Sequence, residues 1–287
     1  MRFDANVSIL FPDVPPLGRP AAAAAVGFDA VELWWPFAGP IPAAREVDDL
    51  VEAFGAAGVR LVLLNLDLGD PTAGHHGLLC LADERSRFRD NLDAAVEVVR
   101  RLGGLVVNSH FGNPPRDASR AALEATVIAN LAFAAPRVAA AGAILVLEPL
   151  NPTDFPRYGL TRMDTAVALA RQATTVGGSP VRVLFDIYHV QRAEGDLITR
   201  IRAFAGEIGH VQAADAPGRG RPGTGEIAFE RVFAELERCG YDGFVGLEYR
   251  PSPDPSDTFS WLELAARRSE AQPDPVSRLL PGGPKGA

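Results

Sequence analysis

Four apolar runs in the second half of the chain each end on an oxygen-bearing side chain. They read Ile-Leu-Val-Leu-Glu148, Val-Leu-Phe-Asp186, His210-Val-Gln212 and Val-Gly-Leu-Glu248. If these runs are neighbouring strands, three carboxylates and one amide crowd together. Packed side by side they raise one another's pKa and stay partly protonated unless a cation sits among them. The donors are all oxygens, with neither Cys nor an obligatory imidazole, a set that suits one hard divalent ion, Mg2+ or Mn2+, and argues against structural zinc. Such an ion, chelating a carbonyl and the hydroxyl beside it, acidifies the intervening C–H. Glu148 and Glu248, approaching from different sides, could then take a proton from one carbon and return it to its neighbour through an enediolate. The plain alternative is that each acid caps a helix or pairs with an Arg. Four strand ends in succession weigh against it.

The elements that must position these residues can be read from apolar runs bounded by turn signals. Strands are expected at Asp4–Ile9, Ala30–Trp34, Arg60–Asn65, Leu105–His110, Ile144–Glu148, Arg182–Asp186, Gly209–Gln212 and Phe244–Glu248. Helical patterns alternate with them at Arg19–Val26, Ala43–Ala57, Glu84–Leu102, Arg120–Ala141, Met163–Val176, Leu197–Gly206 and Phe229–Cys239, and a last one follows at Ser256–Arg268. Gly27, Gly58, Gly103, Gly142 and Gly240 fall just past helical runs, where a left-handed cap reverses the chain. Eight βα units without a Gly-rich phosphate loop after the first strand predict a (β/α)8 TIM barrel rather than an open doubly wound sheet. In that fold functional side chains sit at the C-terminal ends of the strands, where the four residues fall. Residues 1–270 are read as one barrel domain, and the Pro- and Gly-rich tail Ala271–Ala287 as disordered. The segment Asp67–Asp83 is long enough to overhang the mouth as a lid.

The 287 residues, 47% hydrophobic and 22% charged, suffice for one packed core. A formal charge of -8 without a clustered Lys/Arg face excludes a nucleic-acid partner. No apolar stretch reaches the ~18 residues of a membrane span, and no basic-then-apolar leader opens the chain. The two cysteines, Cys80 and Cys239, are too few for a disulfide framework, so a reducing cytoplasm is expected.

Several motifs together resemble the hydroxypyruvate isomerases of the xylose-isomerase-like TIM-barrel superfamily. They are Gly27-Phe-Asp-Ala-Val-Glu32, the Gly69-Asp70 and Ala73-Gly74 pairs after Asn65, Asp186-(x)2-His189, His210-Val-Gln212 and Glu248-Tyr-Arg-Pro251. The similarity runs from Phe3 to about Trp261. It implies that Glu148 and Glu248 are the acid/base pair and also metal ligands, with Asp186 and Gln212 completing the metal shell. It also implies a small hydroxy-oxo acid or sugar as substrate, with hydroxypyruvate and 2-hydroxy-3-oxopropanoate (tartronate semialdehyde) first. A 2-oxo-tetronate (2-dehydrotetronate) isomerase, a ketose 3-epimerase and an inosose-type dehydratase share the barrel and stay as alternatives. Gln212 stands where sugar epimerases usually carry His, which weighs against an epimerase. The His-rich multi-zinc nucleases of the same superfamily fit poorly with five His in an acidic chain. Dimers and tetramers are common among relatives, so a homo-oligomer is compatible, although no stripe marks an interface.

Supporting residues follow from the same two sources. His189 resembles the family's substrate-contacting His and could donate to a hydroxyl or enediolate oxygen. Arg219 could clamp a substrate carboxylate as a planar fork; the plain alternative is a solvated loop Arg, since Arg221 lies beside it. Asn108 ends the fourth strand where relatives often carry a polar side chain, and His110 caps the loop. Glu32 lies inside an apolar run and is read as a substrate-positioning residue or half of a buried ion pair. His75 and His76 fall in the lid segment. Trp34 and Trp35 follow the second strand, and only one of them can face the interior.

Overall fold

The structure, a computed structural model, describes residues 1–254 and 257–268. Eight parallel strands, β1 (Arg2–Asn6), β2 (Ala30–Leu33), β3 (Arg60–Asn65), β4 (Val106–His110), β5 (Ile144–Glu148), β6 (Val181–Asp186), β7 (Ile208–Ala213) and β8 (Phe244–Leu247), close into a barrel in chain order. The closing pair is β1 with β8, in register at Asp4 and Gly246. Helices alternate with the strands: α1 (Val7–Leu10), α2 (Arg19–Ala25), α3 (Ala44–Ala57), α4 (Arg85–Leu102), α5 (Arg120–Ala140), α6 (Met163–Gly177), α7 (Ile187–Ala193), α8 (Leu197–Phe204) and α9 (Phe229–Arg238). The expected TIM barrel is therefore the observed fold. All five glycines read as helix stops have positive φ, from 64° to 97°.

Two expectations need correction. The first strand stops at Asn6 rather than Ile9, because the Asn6 side chain accepts from the Ser8 backbone N–H at 3.1 Å and starts a helical turn. The helix expected over Ser256–Arg268 is instead a set of turns and a 3₁₀ turn at Leu264–Arg267 among the described residues. Three prolines at 251, 253 and 255 disfavour helix nucleation there, and the Arg267 guanidinium satisfies the Phe259 and Leu262 carbonyls that a helix would have bonded internally, together with the Val26 carbonyl at the end of α2. The tail Ala271–Ala287 lies outside the described residues. By length and composition α5 could cross a membrane, yet Val127, Leu131, Ala134 and Val138 bury one side of it on the barrel.

Period-two alternation sorts the strands into two kinds of core. Phe3, Ala5, Val31, Leu33, Val183, Phe185, Val211, Val245 and Leu247 face the helices. Ala30, Val62, Val106, Ile144, Val146, Leu184 and Phe244 fill the interior of the barrel. Two residues further along, the inward positions become polar: Asp4, Glu32 and His210, then Asn6, Asn108, Glu148, Asp186, Gln212 and Glu248, all buried. A register shift in the β2–β3 ladder falls between Val31 and Glu32, at the step where the polar layer begins. Gly246 supplies the space this layer needs, because a Cβ at that position would run into the Glu32 carboxylate. Gly246→Ala is expected to destabilise the fold by about 1–3 kcal/mol through overpacking. Urea unfolding at neutral pH measures this, and an unchanged midpoint would show the polar layer to be loosely packed.

Candidate active site

Two strand ends, at Asp186 and Asn6, use one side-chain atom to hold the local backbone and leave another for the site. Asp186 closes β6 and caps α7, its Oδ1 accepting from the His189 N–H at 3.0 Å, which leaves Oδ2 buried without a partner. Asn6 does the same at β1. Its Oδ1 is taken by the Ser8 N–H, so Nδ2 must face inward, where it donates to Glu248 Oε1 at 3.0 Å and to Glu32 Oε2 at 3.2 Å. Gln212 donates from Nε2 to Glu32 Oε2 at 2.7 Å, and its own Oε1 is a second buried acceptor without a partner. Asp186 and Gln212 are register partners on adjacent strands.

Glu148 accepts from Asn108 Nδ2 at 2.7 Å and lies 3.3 Å from His110 Nε2. Glu248 accepts from Trp34 Nε1 at 2.9 Å and from the Arg219 guanidinium at 2.5 Å. Burial and the neighbouring Glu248 and Asp186 charges push the Glu148 carboxyl well above the usual range. Burial also raises Asp186, against the opposing pull of Arg219. Glu248 is pushed up to about 7, mainly by burial, with Arg219 holding it down and Asp186 pushing it up. Arg219 itself is held above its ordinary value, because Glu248, Asp186 and Glu148 outweigh its burial.

Two histidines beside these acids, His110 and His189, are neutral. Burial holds His110 down to about 3, with His76 and Arg219 adding to it, and burial with Arg219 puts His189 well below its ordinary value. The His189 tautomer can be derived. The Asp154 N–H occupies Asn151 Oδ1 at 2.9 Å, so Asn151 Nδ2 is the end that meets His189 Nδ1 at 2.8 Å, and the Asn151 backbone N–H also donates to Nδ1 at 3.1 Å. With two donors on Nδ1, the ring proton must sit on Nε2, which lies 3.8 Å from Asp186 Oδ2. Ligand atoms of Glu148, Asp186 and His189 fall within 4.8 Å of one another, but an Nε2–H cannot ligate, so His189 enters the site as a hydrogen-bond donor.

These groups surround a cavity of about 140 Å3 lined by Trp34, Asn65, Leu68, His76, His110, Glu148, Leu150, Phe155, His189, Arg219 and Glu248. Larger grooves of about 260 and 390 Å3 lie along α5 and α6, and no strand-end acid lines them. Leu68 and His76 from the overhanging segment roof the cavity, with His76 stacked on Phe155 at 4.6 Å. Beyond His76 that segment is anchored: Gly77 donates to the Leu68 carbonyl, Cys80 to the Phe111 carbonyl, and Asn130 holds the Leu79 carbonyl at 2.9 Å.

Of the residues singled out in the sequence, Glu148, Glu248, His189 and Arg219 line the cavity, Asp186 adjoins His189 and Glu148, and Asn108 reaches the site through Glu148. Glu32 does not line it. The carboxylate is fully buried beneath the mouth, bonded to His210 on one oxygen and to Gln212 and Asn6 on the other. Arg221 pairs with Asp257 at 3.0 Å, which separates it from Arg219. Trp34 is the tryptophan that faces the site, while Trp35 bonds the Gly39 carbonyl. Sequence reasoning missed Asn6, Asn151 and Phe155, and named Asn65 only as the start of a motif, without a role in the site. An Asn directly after an apolar run was the available signal for Asn6.

The donors fit a hard divalent cation: Asp186 Oδ2 and Gln212 Oε1 are buried acceptors without donors, beside two carboxyls, Glu148 and Glu248, that burial and neighbouring negative charge raise above the usual range.

The sequence pattern of the xylose isomerase-like TIM barrel family matches residues 20–265. The hydroxypyruvate isomerase of Escherichia coli is 35% identical over 263 residues, covering 92% of this chain and 98% of that protein. The 2-oxo-tetronate isomerase of Cupriavidus necator is 37% identical over 262 residues, covering 91% and 97%. Among solved structures, one described as an AP endonuclease, family 2, from Brucella melitensis superposes with a TM-score of 0.82 at 33% identity, covering 91% and 97%.

The raised carboxyls make stability pH-dependent. A carboxyl whose folded pKa lies above its unfolded one binds more protons when folded, so its contribution is complete at low pH and is lost as pH rises through the folded value. The buried His110 and His189 act in the opposite sense, but only below their unfolded pKa of about 6.5. From pH 6.5 to 8 the carboxyls therefore dominate. Chelator-treated protein is expected to lose stability over that interval by up to about 1.4 kcal/mol per pH unit for each titrating group. Glu248→Gln should flatten the slope, and urea unfolding at several pH values in a chelator measures both.

Proposed function

The chain belongs to the hydroxypyruvate isomerase family of xylose isomerase-like TIM barrels and is an isomerase, and from that premise we propose that it interconverts hydroxypyruvate and 2-hydroxy-3-oxopropanoate with one divalent cation. The observation that carries this reading is the set Glu148, Asp186, Gln212 and Glu248 at successive strand ends: Glu148 and Glu248 line a small cavity, and Asp186 Oδ2 and Gln212 Oε1 behind them are buried acceptors without a partner. Mg2+ or Mn2+ bound there would polarise the substrate carbonyl and acidify the adjacent C–H.

The protein's own groups supply the rest. One of Glu148 and Glu248 removes a proton from C3 of hydroxypyruvate, giving the enediolate, and the other delivers a proton to C2, so that the hydroxymethyl carbon becomes the aldehyde and no electrons leave the molecule. β6 and β7 separate the two acids around the barrel, which suits transfer between different sides of the substrate. His189 Nε2–H donates to the oxygen that gains charge, and a neutral donor does so without surrendering its proton to the enediolate. Arg219 offers the substrate carboxylate a cationic partner; its Nε is buried and unbonded. Asn108 and Trp34 hold the two acids in place.

A cavity of about 140 Å3 is well below the ~300–1,000 Å3 of drug-sized sites, which favours a short acid over a six-carbon ketose. The Cupriavidus necator relative keeps a four-carbon substrate, 2-oxo-tetronate, as the second reading. In D2O, hydroxypyruvate is expected to yield an isomer carrying deuterium at C2. Chelation should abolish turnover, and Mg2+ or Mn2+ should restore it. Glu148→Gln should lower kcat by about 10²–10⁴-fold. Full turnover by that variant with metal bound would overturn the proposal, while faster turnover of 2-oxo-tetronate or release of a dehydrated product would reassign the substrate or reaction.

A further inference from the structure

An amide makes a poor metal ligand unless something decides which end faces the ion. Gln212 presents either an oxygen, which can ligate a cation, or an NH2, which repels it, and rotation about its last bond exchanges the two. Only the partner on the far side of the amide can fix the choice. Here that partner is a carboxylate: Glu32 Oε2 accepts from Gln212 Nε2 at 2.7 Å and leaves Gln212 Oε1 buried and unbonded.

Glu32 is itself held from three directions. Its other oxygen meets His210 Nε2, and Asn6, whose orientation is set by the Ser8 N–H, donates to Glu32 Oε2 on one side and to Glu248 Oε1 on the other. The carboxylate occupies the room left by the missing side chain of Gly246, and it has no exposure to the cavity. A side chain so enclosed cannot touch substrate. Its contacts run to Gln212 directly and, through Asn6, to Glu248.

We propose that Glu32 is a positioning residue for the cation: by accepting from Gln212 Nε2 it holds Gln212 Oε1 toward the metal and so makes an amide serve as a ligand on β7. The inference rests on the metal-site reading above. In Glu32→Gln the new amide can donate to Gln212 Oε1 and turn the Gln212 NH2 toward the ion. In Glu32→Gln/Gln212→Glu the carboxylate–amide pair is restored with its members exchanged, and a carboxylate oxygen now faces the ion with no alternative end to present.

The test is Mn2+ binding to chelator-stripped protein, with free Mn2+ read by electron paramagnetic resonance and folding checked by thermal melting. Glu32→Gln is expected to weaken Mn2+ binding by about 10–100-fold, as losses of outer partners do. The double variant should recover wild-type affinity or exceed it. That recovery separates positioning from a merely structural role, because the double variant still lacks the carboxylate beside His210. It also carries the test alone should the single variant fail to fold. Unchanged Mn2+ affinity in folded Glu32→Gln, or no recovery in the double variant, overturns the inference while leaving the metal site standing. Failure of the wild-type protein to bind Mn2+, Mg2+ or any other divalent ion overturns the metal-site reading and this inference together.

Discussion

The structure depends on keeping negative charge buried at the open end of a barrel. Glu148, Asp186 and Glu248 are each no more than 4% exposed, and Glu32 and Asp4 lie directly beneath them with none. Unpaired carboxylates in such surroundings would cost several kcal/mol each. The chain answers with neutral donors of fixed direction. Asn6, Asn108, Gln212 and Trp34 each give an N–H to a carboxylate, and Arg219 brings the cation of the mouth. Among the described residues, Asp4, Asn108, Asp186 and Gln212 keep buried acceptor oxygens without a partner at this end of the barrel. On the proposed reading, the two at the ends of β6 and β7, Asp186 Oδ2 and Gln212 Oε1, are where a cation would sit.

Secondary structure supplies the directions. An Asn or Gln could satisfy a carboxylate with its NH2 or clash with its oxygen, and in three places a group of known polarity decides. The Ser8 N–H takes the oxygen of Asn6, the Asp154 N–H takes the oxygen of Asn151, and the Glu32 carboxylate takes the NH2 of Gln212. Backbone N–H groups only donate, so helix starts and turns transmit their polarity through an amide to a ligand or a ring nitrogen one step further on. The His189 tautomer is the product of such a chain.

The sequence made the barrel legible because its helix stops and strand runs repeat and because four strands end on oxygen. Glu148, Asp186, Gln212 and Glu248 could be placed together from that pattern alone, since inward positions of a parallel barrel alternate with outward ones. Glu32 shows where this reasoning stops. Its strand and inward side were readable, but its depth was not: alternation says which way a side chain points and not how far below the mouth it lies, and the space made by Gly246 on a distant strand cannot be inferred from β2. Asn151 was invisible for a related reason. It sits on a loop, and its importance comes from meeting His189, a contact with no sequence period. The last helix was misread because Arg267 serves the Phe259 and Leu262 carbonyls that helix propensity assigns to the backbone.

Charge balance also bears on what kind of molecule the cavity can admit. With a divalent cation in place, its two positive charges and that of Arg219 equal the three negative charges of Glu148, Asp186 and Glu248, and Gln212 adds none. A carboxylate ligand at the Gln212 position would leave the mouth one charge negative before substrate arrived, and an anionic substrate would then enter against repulsion in a site where burial weakens screening. A neutral ligand on β7 removes that penalty. It does so at the cost of needing a partner to orient it, and the partner, Glu32, lies one layer down, next to His210 and away from the cavity. On the proposed reading, neutral Gln212, Glu32 beneath it and Arg219 above are three consequences of one requirement, that a ring of acids hold a cation and still accept an acid.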